Sequence, residues 1–163
     1  MWFQIAVLAL LPNSASGHRM GEAVPIAFVE GSETGFAASV IAVYFSEQMG
    51  KEIGLVPGKS SQKCLDMVRT GIAPMAVLDR MPAHTIRDVV VVEPVLAKGG
   101  EAAVLVMGER AVRQLQFSLV PRYMEKLGNV LDAADWELGL ARVRAGEGIR
   151  KAAIDMLRDK DLI

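Results

Sequence analysis

Cysteine is almost absent from this chain: its 163 residues include one, Cys64. A lone thiol excludes an internal disulfide framework and any zinc site built from several cysteines. Histidine is nearly as scarce, with only His18 and His84, which leaves little for a histidine-based metal centre. Neither charge sign dominates, since 18 basic residues face 19 acidic ones. That balance argues against a nucleic-acid binder, which needs a basic face. Low-complexity segments, internal repeats and the glycine fingerprint of dinucleotide-binding turns are all missing. What the chain does have is apolar content, 52% of its residues. That excludes intrinsic disorder, and the length predicts one domain. A domain of this size buries roughly 70% of the surface its unfolded chain exposes, so no disulfide or metal staple is required.

The chain opens on an uncharged apolar run, Met1–Leu11 (MWFQIAVLALL), followed by Pro12-Asn13-Ser14-Ala15-Ser16-Gly17. The run is far too short to span a bilayer as a helix. It resembles a secretory signal with Ser14-Ala15-Ser16 as a small-x-small cleavage site, although no Lys or Arg precedes it. The expectation is a leader over residues 1–16 and one lobe over 17–163, exported to a periplasmic or other extracytoplasmic space. The competing expectation is an N-terminal strand or helix packed on the domain.

From Ala23 onward strands and helices alternate. Val24–Val29 (VPIAFV) reads as a strand and Glu30–Gly35 as a turn. Phe36, Ala37, Val40, Ile41, Tyr44 and Phe45 then recur at helical spacing until Gly50. Ile53–Val56 is a second strand, Pro57–Ser61 a turn, and Cys64, Leu65 and Val68 mark a helix ending at Gly71. Ile72–Leu78 (IAPMAVL) is a third strand, almost wholly apolar, as buried parallel strands tend to be. This β-α-β-α-β order predicts right-handed crossovers and a parallel-rich sheet with helices on both faces. After the polar connection Asp79–Asp88, strands are expected at Val89–Val92 and Ala102–Met107. Helices follow at Glu109–Gln116, Val120–Leu127, Asp132–Arg144 and Glu147–Arg158, with Asp132 and Glu147 as first-turn acids.

Several catalytic readings fail on spacing. Gly54-Leu55-Val56-Pro57-Gly58-Lys59-Ser60 mimics a phosphate-binding loop, but three residues separate its glycines where four are needed. Cys64 lies at an apolar helix position, and His84 has no partner by spacing, so no nucleophile–base pair emerges. The turns are more informative. Open α/β sheets bind ligands at the carboxyl ends of their strands, beside helix N-termini with free amides. Three such turns occur, at Glu30–Thr34, Pro57–Ser61 and Asp79–Met81. Glu30, Gly31, Ser32, Glu33, Thr34, Ser60, Ser61 and Asp79 are therefore the candidate ligand-binding residues. Ser32 and Thr34, or Ser60 and Ser61, either cap their helices or offer hydroxyls to a ligand. Glu30 and Glu33 attract a cation and oppose an anion.

Two stretches carry a resemblance. The first runs over Ala23–Leu78, with VEGSETGFAASVIAVYFSEQMG, GLVPGKSSQKCLDMVRTG and IAPMAVL. The second is Leu127–Ile163, LGNVLDAADWELGLARVRAGEGIRKAAIDMLRDKDLI. Both resemble periplasmic substrate-binding proteins of the glycine-betaine and osmoprotectant type. The family has two lobes, whereas Asp79–Asp88 joins the halves directly here. The resemblance thus implies a single three-layer lobe of the type-II periplasmic-binding-protein-like fold. It also implies non-enzymatic binding of a small polar or zwitterionic solute, a quaternary amine among them, with an ABC permease as partner and no cofactor. Aromatic faces that hold a quaternary ammonium are few near the three turns. The alternatives are a degenerate lobe acting as an interaction module, and a small cytoplasmic enzyme with an unrecognised site. A homodimer is expected as well, because the carboxyl edge of the sheet lacks a covering lobe and a two-fold contact is the commonest cover.

Overall fold

The computed structural model describes residues 23–80, 87–98 and 101–163. The leader over residues 1–16, His18, Met81 and His84 lie outside these residues. In chain order the elements are β1 (Val24–Val29), α1 (Ser32–Met49), β2 (Ile53–Gly58), α2 (Ser61–Thr70) and β3 (Met75–Leu78). Next come β4 (Val89–Lys98), β5 (Glu101–Gly108), a four-residue helix α3 (Glu109–Val112) and a 3-10 turn, Leu115–Phe117. The C-terminal helices are α4 (Val120–Val130), α5 (Ala133–Arg144) and α6 (Ile149–Asp159).

The strands form one five-stranded sheet in the order β2-β1-β3-β5-β4. β1 is parallel to both of its neighbours. β5 is antiparallel to β3 and to β4, so β4 runs with the first three strands and β5 alone is reversed. The fold class is α/β with a mixed sheet. Both crossovers start from β1 and β2 and leave the sheet in opposite directions, which puts α1 and α2 on opposite faces.

Strand alternation sorts the core. Ile26, Met75, Val77, Leu105 and Met107 join the cluster under α1, whereas Ala27, Ala76, Leu78, Val104 and Val106 join the one under α2. Adjacent strand residues point to opposite faces, so this split follows directly from the pleat. The α1 side holds most of the bulk and most of the helices. There, α1 is buried without interruption from Thr34 to Phe45, since the sheet covers one side and α5 and α6 pack on the other. A helix enclosed on all sides carries no polar stripe.

Several boundaries differ from the sequence expectation, among them α1, which opens at Ser32 inside the expected turn, and β2, which runs on to Gly58; others have a plain local reason. β3 begins at Met75, not Ile72, because the N–H groups of Ile72 and Ala73 both donate back to the Met67 carbonyl. Gly71, at φ 78°, makes that left-handed close of α2. β4 runs on through Glu93-Pro94 to Lys98, with register shifts at Val91/Glu93 and Pro94/Leu96. An edge strand with bulges tolerates proline because it has no second ladder to lose. The helix expected at Glu109–Gln116 breaks after Val112 into a 3-10 turn that delivers Phe117 to the core. Finally, Asp132 is the N-cap of α5, and Glu147 precedes α6 rather than opening it.

Gly139 shows how closely α5 approaches α1. A Cβ built there would stand 2.3 Å from Cζ of Phe36, whose ring is fully buried and meets Trp136 edge-on at 5.3 Å.

Candidate functional site

The turns after β1, β2 and β3 come together at the carboxyl edge of the three parallel strands, as parallel pairing requires. The Glu30 N–H donates to the Gly58 carbonyl at 2.9 Å, tying the end of β1 to the end of β2. Across β1, the Ser61 hydroxyl donates to Oδ1 of Asp79 at 2.5 Å, tying the start of α2 to the residue after β3. The edge is also the switch point of the sheet, where the chain leaves β1 toward β2 on one side and β3 lies on the other. Crevices at such points are the usual ligand sites of open α/β sheets.

The candidate residues divide by what their side chains do. Ser60 is the N-cap of α2, its hydroxyl accepting from the Lys63 N–H at 3.2 Å. Ser61 is held by Asp79. Thr34 is buried, and its hydroxyl turns inward to donate to the Val29 carbonyl at 2.5 Å. That bond occupies the hydroxyl's donor, and Thr34 does not cap α1. The N-cap of α1 is Gly31, in extended backbone, and no side chain caps the helix. Ser32 opens that helix. Glu30 and Glu33 are exposed, as is Gly31.

Two cations temper this acidic edge, and spacing did not point to either. Arg144, at the end of α5, stands 3.3 Å from Oε1 of Glu33. Arg80 stands 3.6 Å from Oδ2 of Asp79. The Arg144 contact crosses 111 positions, so only the packing of α5 on α1 creates it. Exposed pairs of this kind contribute about 0–1 kcal/mol each, and their main effect here is to orient carboxylates.

Cys64 is fully buried in the first turns of α2. Burial, and then the nearby charge of Asp79, push its thiol above the ordinary range, so the thiolate that a nucleophile requires is disfavoured. A Cβ on Gly58 would lie 2.6 Å from its sulfur, which explains why the close of β2 is glycine. Gly54 lies within β2, well before the turn, so the loop from Gly54 to Ser60 does not wrap a phosphate. Among the described residues no cluster of His, Cys, Asp and Glu is arranged to hold a metal. No described helix is long and apolar enough to cross a membrane. Comparison with protein-family models, with curated proteins and with solved structures finds no match in any of the three.

Proposed function

We propose that this chain is a non-enzymatic solute-binding lobe of the type-II periplasmic-binding-protein kind, taking a small zwitterion or polar cation at the carboxyl edge. The observation that carries the reading is the meeting of three turns there, with Ser61 on Asp79 across β1 and Glu30 bonded to the end of β2. The N-terminal amides of α1 have no side-chain cap and suit the anionic end of a zwitterion, since the Glu33 carboxylate beside them is met by Arg144. Glu30 and Asp79 suit its cationic end. Four strands running one way, with helices on both faces, support the fold this reading needs. Export, partnership with an ABC permease and a homodimeric state belong to the same proposal.

The test is a thermal-shift titration of the full chain with glycine betaine and choline. Ligand at a hundred times its dissociation constant adds roughly 2.7 kcal/mol of stability, a rise of roughly 5–10 °C in Tm. The rise should vanish in the double variant Glu30→Gln/Asp79→Asn, whose own Tm stays near that of the wild type. No rise with either solute, or an equal rise in the variant, overturns the reading.

A further inference from the structure

The edge of the sheet opposite the three turns, where β3 begins and β5 ends, carries an open groove of about 590 Å³. Ile72, Val112 and Leu115 stand outside it, each between two chain neighbours that do line it. The end of α2, the end of α3 and the 3-10 turn thus bring large apolar side chains to one end of the molecule, where they stay 60%, 40% and 89% exposed. Single exposed apolar side chains are ordinary, but several at one end mark a contact surface. Cations stand among them. Arg69, Arg110 and Arg113 line the groove against Asp88 and Glu109, and Lys51 joins them by donating to Oε1 of Gln116 at 2.8 Å. Four cations against two carboxylates leave two positive charges in excess. Arg113 lies 3.8 Å from Glu109, whereas Arg69 and Arg110 have no carboxylate at ion-pair distance among the described residues.

This mixture favours one kind of partner. A protein–protein interface closes around a dry, well-packed centre, and an arginine-lined groove between the apolar side chains breaks up such a centre. The same interleaving suits a bilayer surface, where apolar side chains enter the acyl boundary while cations stay at the headgroups. Arg113 lies between Val112 and Leu115 in the chain, and Arg110 precedes Val112 by two positions. We propose that this end of the molecule docks on a membrane surface rich in anionic lipid. Ile72, Val112 and Leu115 enter the interface, and Arg69 and Arg110 hold headgroup phosphates, which their planar forks match. The turns at the carboxyl edge lie at the other end of the strands, so the docked lobe keeps that edge uncovered.

Cosedimentation of the full chain with vesicles is the test, one set of phosphatidylcholine alone and one of phosphatidylcholine and phosphatidylglycerol in equal parts. The chain should bind the mixed vesicles about ten-fold more tightly or better, and added salt should weaken that binding. The double variant Arg69→Gln/Arg110→Gln should weaken it about ten-fold or more, and Val112→Ser/Leu115→Ser should do the same. In Leu115→Trp, the added indole emission should move to shorter wavelength with mixed vesicles. All of these side chains are exposed, so circular dichroism should stay that of the wild type. The proposal is overturned by no binding to mixed vesicles, by equal binding to both kinds, or by an indole emission that does not move. Full binding by either double variant overturns it as well, since the contact would then lie on another segment. So does an oligomer that Val112→Ser/Leu115→Ser dissolves into monomers in light scattering, because the face would then be a contact between copies of this chain.

Discussion

Tyr44 is fully buried, yet its hydroxyl has no hydrogen-bond partner among the described residues. Burial, and then the neighbouring Tyr123, raise its pKa, so the group stays neutral. Its ring is well placed, edge-on to Tyr123 at 6.1 Å. An unpaired buried hydroxyl costs about 1–3 kcal/mol. Tyr44→Phe is therefore expected to hold or raise the Tm in calorimetry, and a drop of several degrees would show that the hydroxyl is bonded in the folded chain. Gly139 tests packing at the same scale. Alanine is the better helix former by about 1 kcal/mol, but its methyl would collide with Phe36. Because Phe36 is buried against Trp136 and has little room to move, Gly139→Ala should destabilise by about 1–3 kcal/mol in urea unfolding. A stabilised variant would mean the ring yields.

At the scale of an element, α5 is the described helix that starts on a full capping box. Oδ1 of Asp132 accepts from the Asp135 N–H, and Oδ2 of Asp135 accepts from the Asp132 N–H, each at 3.0 Å. This capping box satisfies two donors that a helix end otherwise leaves open. Lys160, just past α6, adds an ammonium 2.8 Å from Asp135. Partial burial resists ionisation of Asp135, but Lys160 and the Asp132 N–H outweigh it and hold its pKa below the ordinary carboxylate value. A carboxylate depressed in the folded state stabilises fully above its unfolded pKa of about 3.9 and loses that contribution as pH falls through the folded value. Asp135→Asn should thus unfold more easily at neutral pH, by up to about 1 kcal/mol, and the gap should close below about pH 4. A gap independent of pH would remove charge from the account. An acid at the start of α5 was legible from Asp132, although it stands at the N-cap rather than in the first turn. Lys160 was not, because it arrives from another helix.

For the whole molecule, the described residues offer the proposed homodimer a second candidate surface besides the carboxyl edge. The large apolar side chains that stay exposed among the described residues are Ile72, Val90, Val91, Val112, Leu115, Leu119 and Leu138. None belongs to the turns after β1, β2 or β3. Val90 and Val91 are consecutive on the edge strand β4, so one points to each face of the sheet. An edge strand exposed on both faces is a template for pairing with a second copy. The proposed dimer is accordingly expected across β4, and Val91→Lys should convert it to a monomer in light scattering. A wild-type chain that stays monomeric at high micromolar concentration would sink the dimer.

Alternation and spacing alone set the order of the first five elements and the apolar residues of the core, because these depend on neighbours only a few positions apart. Three candidate turns could be named from the sequence for the same reason, since a parallel crossover must bring strand ends to one edge. Tertiary structure decided the rest. It reversed β5 and carried β4 through Pro94 as an edge strand. It enclosed α1, whose helical spacing suggested one buried face, by laying α5 and α6 across its outer side. Within the site it turned Thr34 inward and joined Ser61 to Asp79. It also brought Arg144 to Glu33 across 111 positions. Periodicity records which side of an element is apolar, but the partner that meets that side is chosen by packing between distant segments.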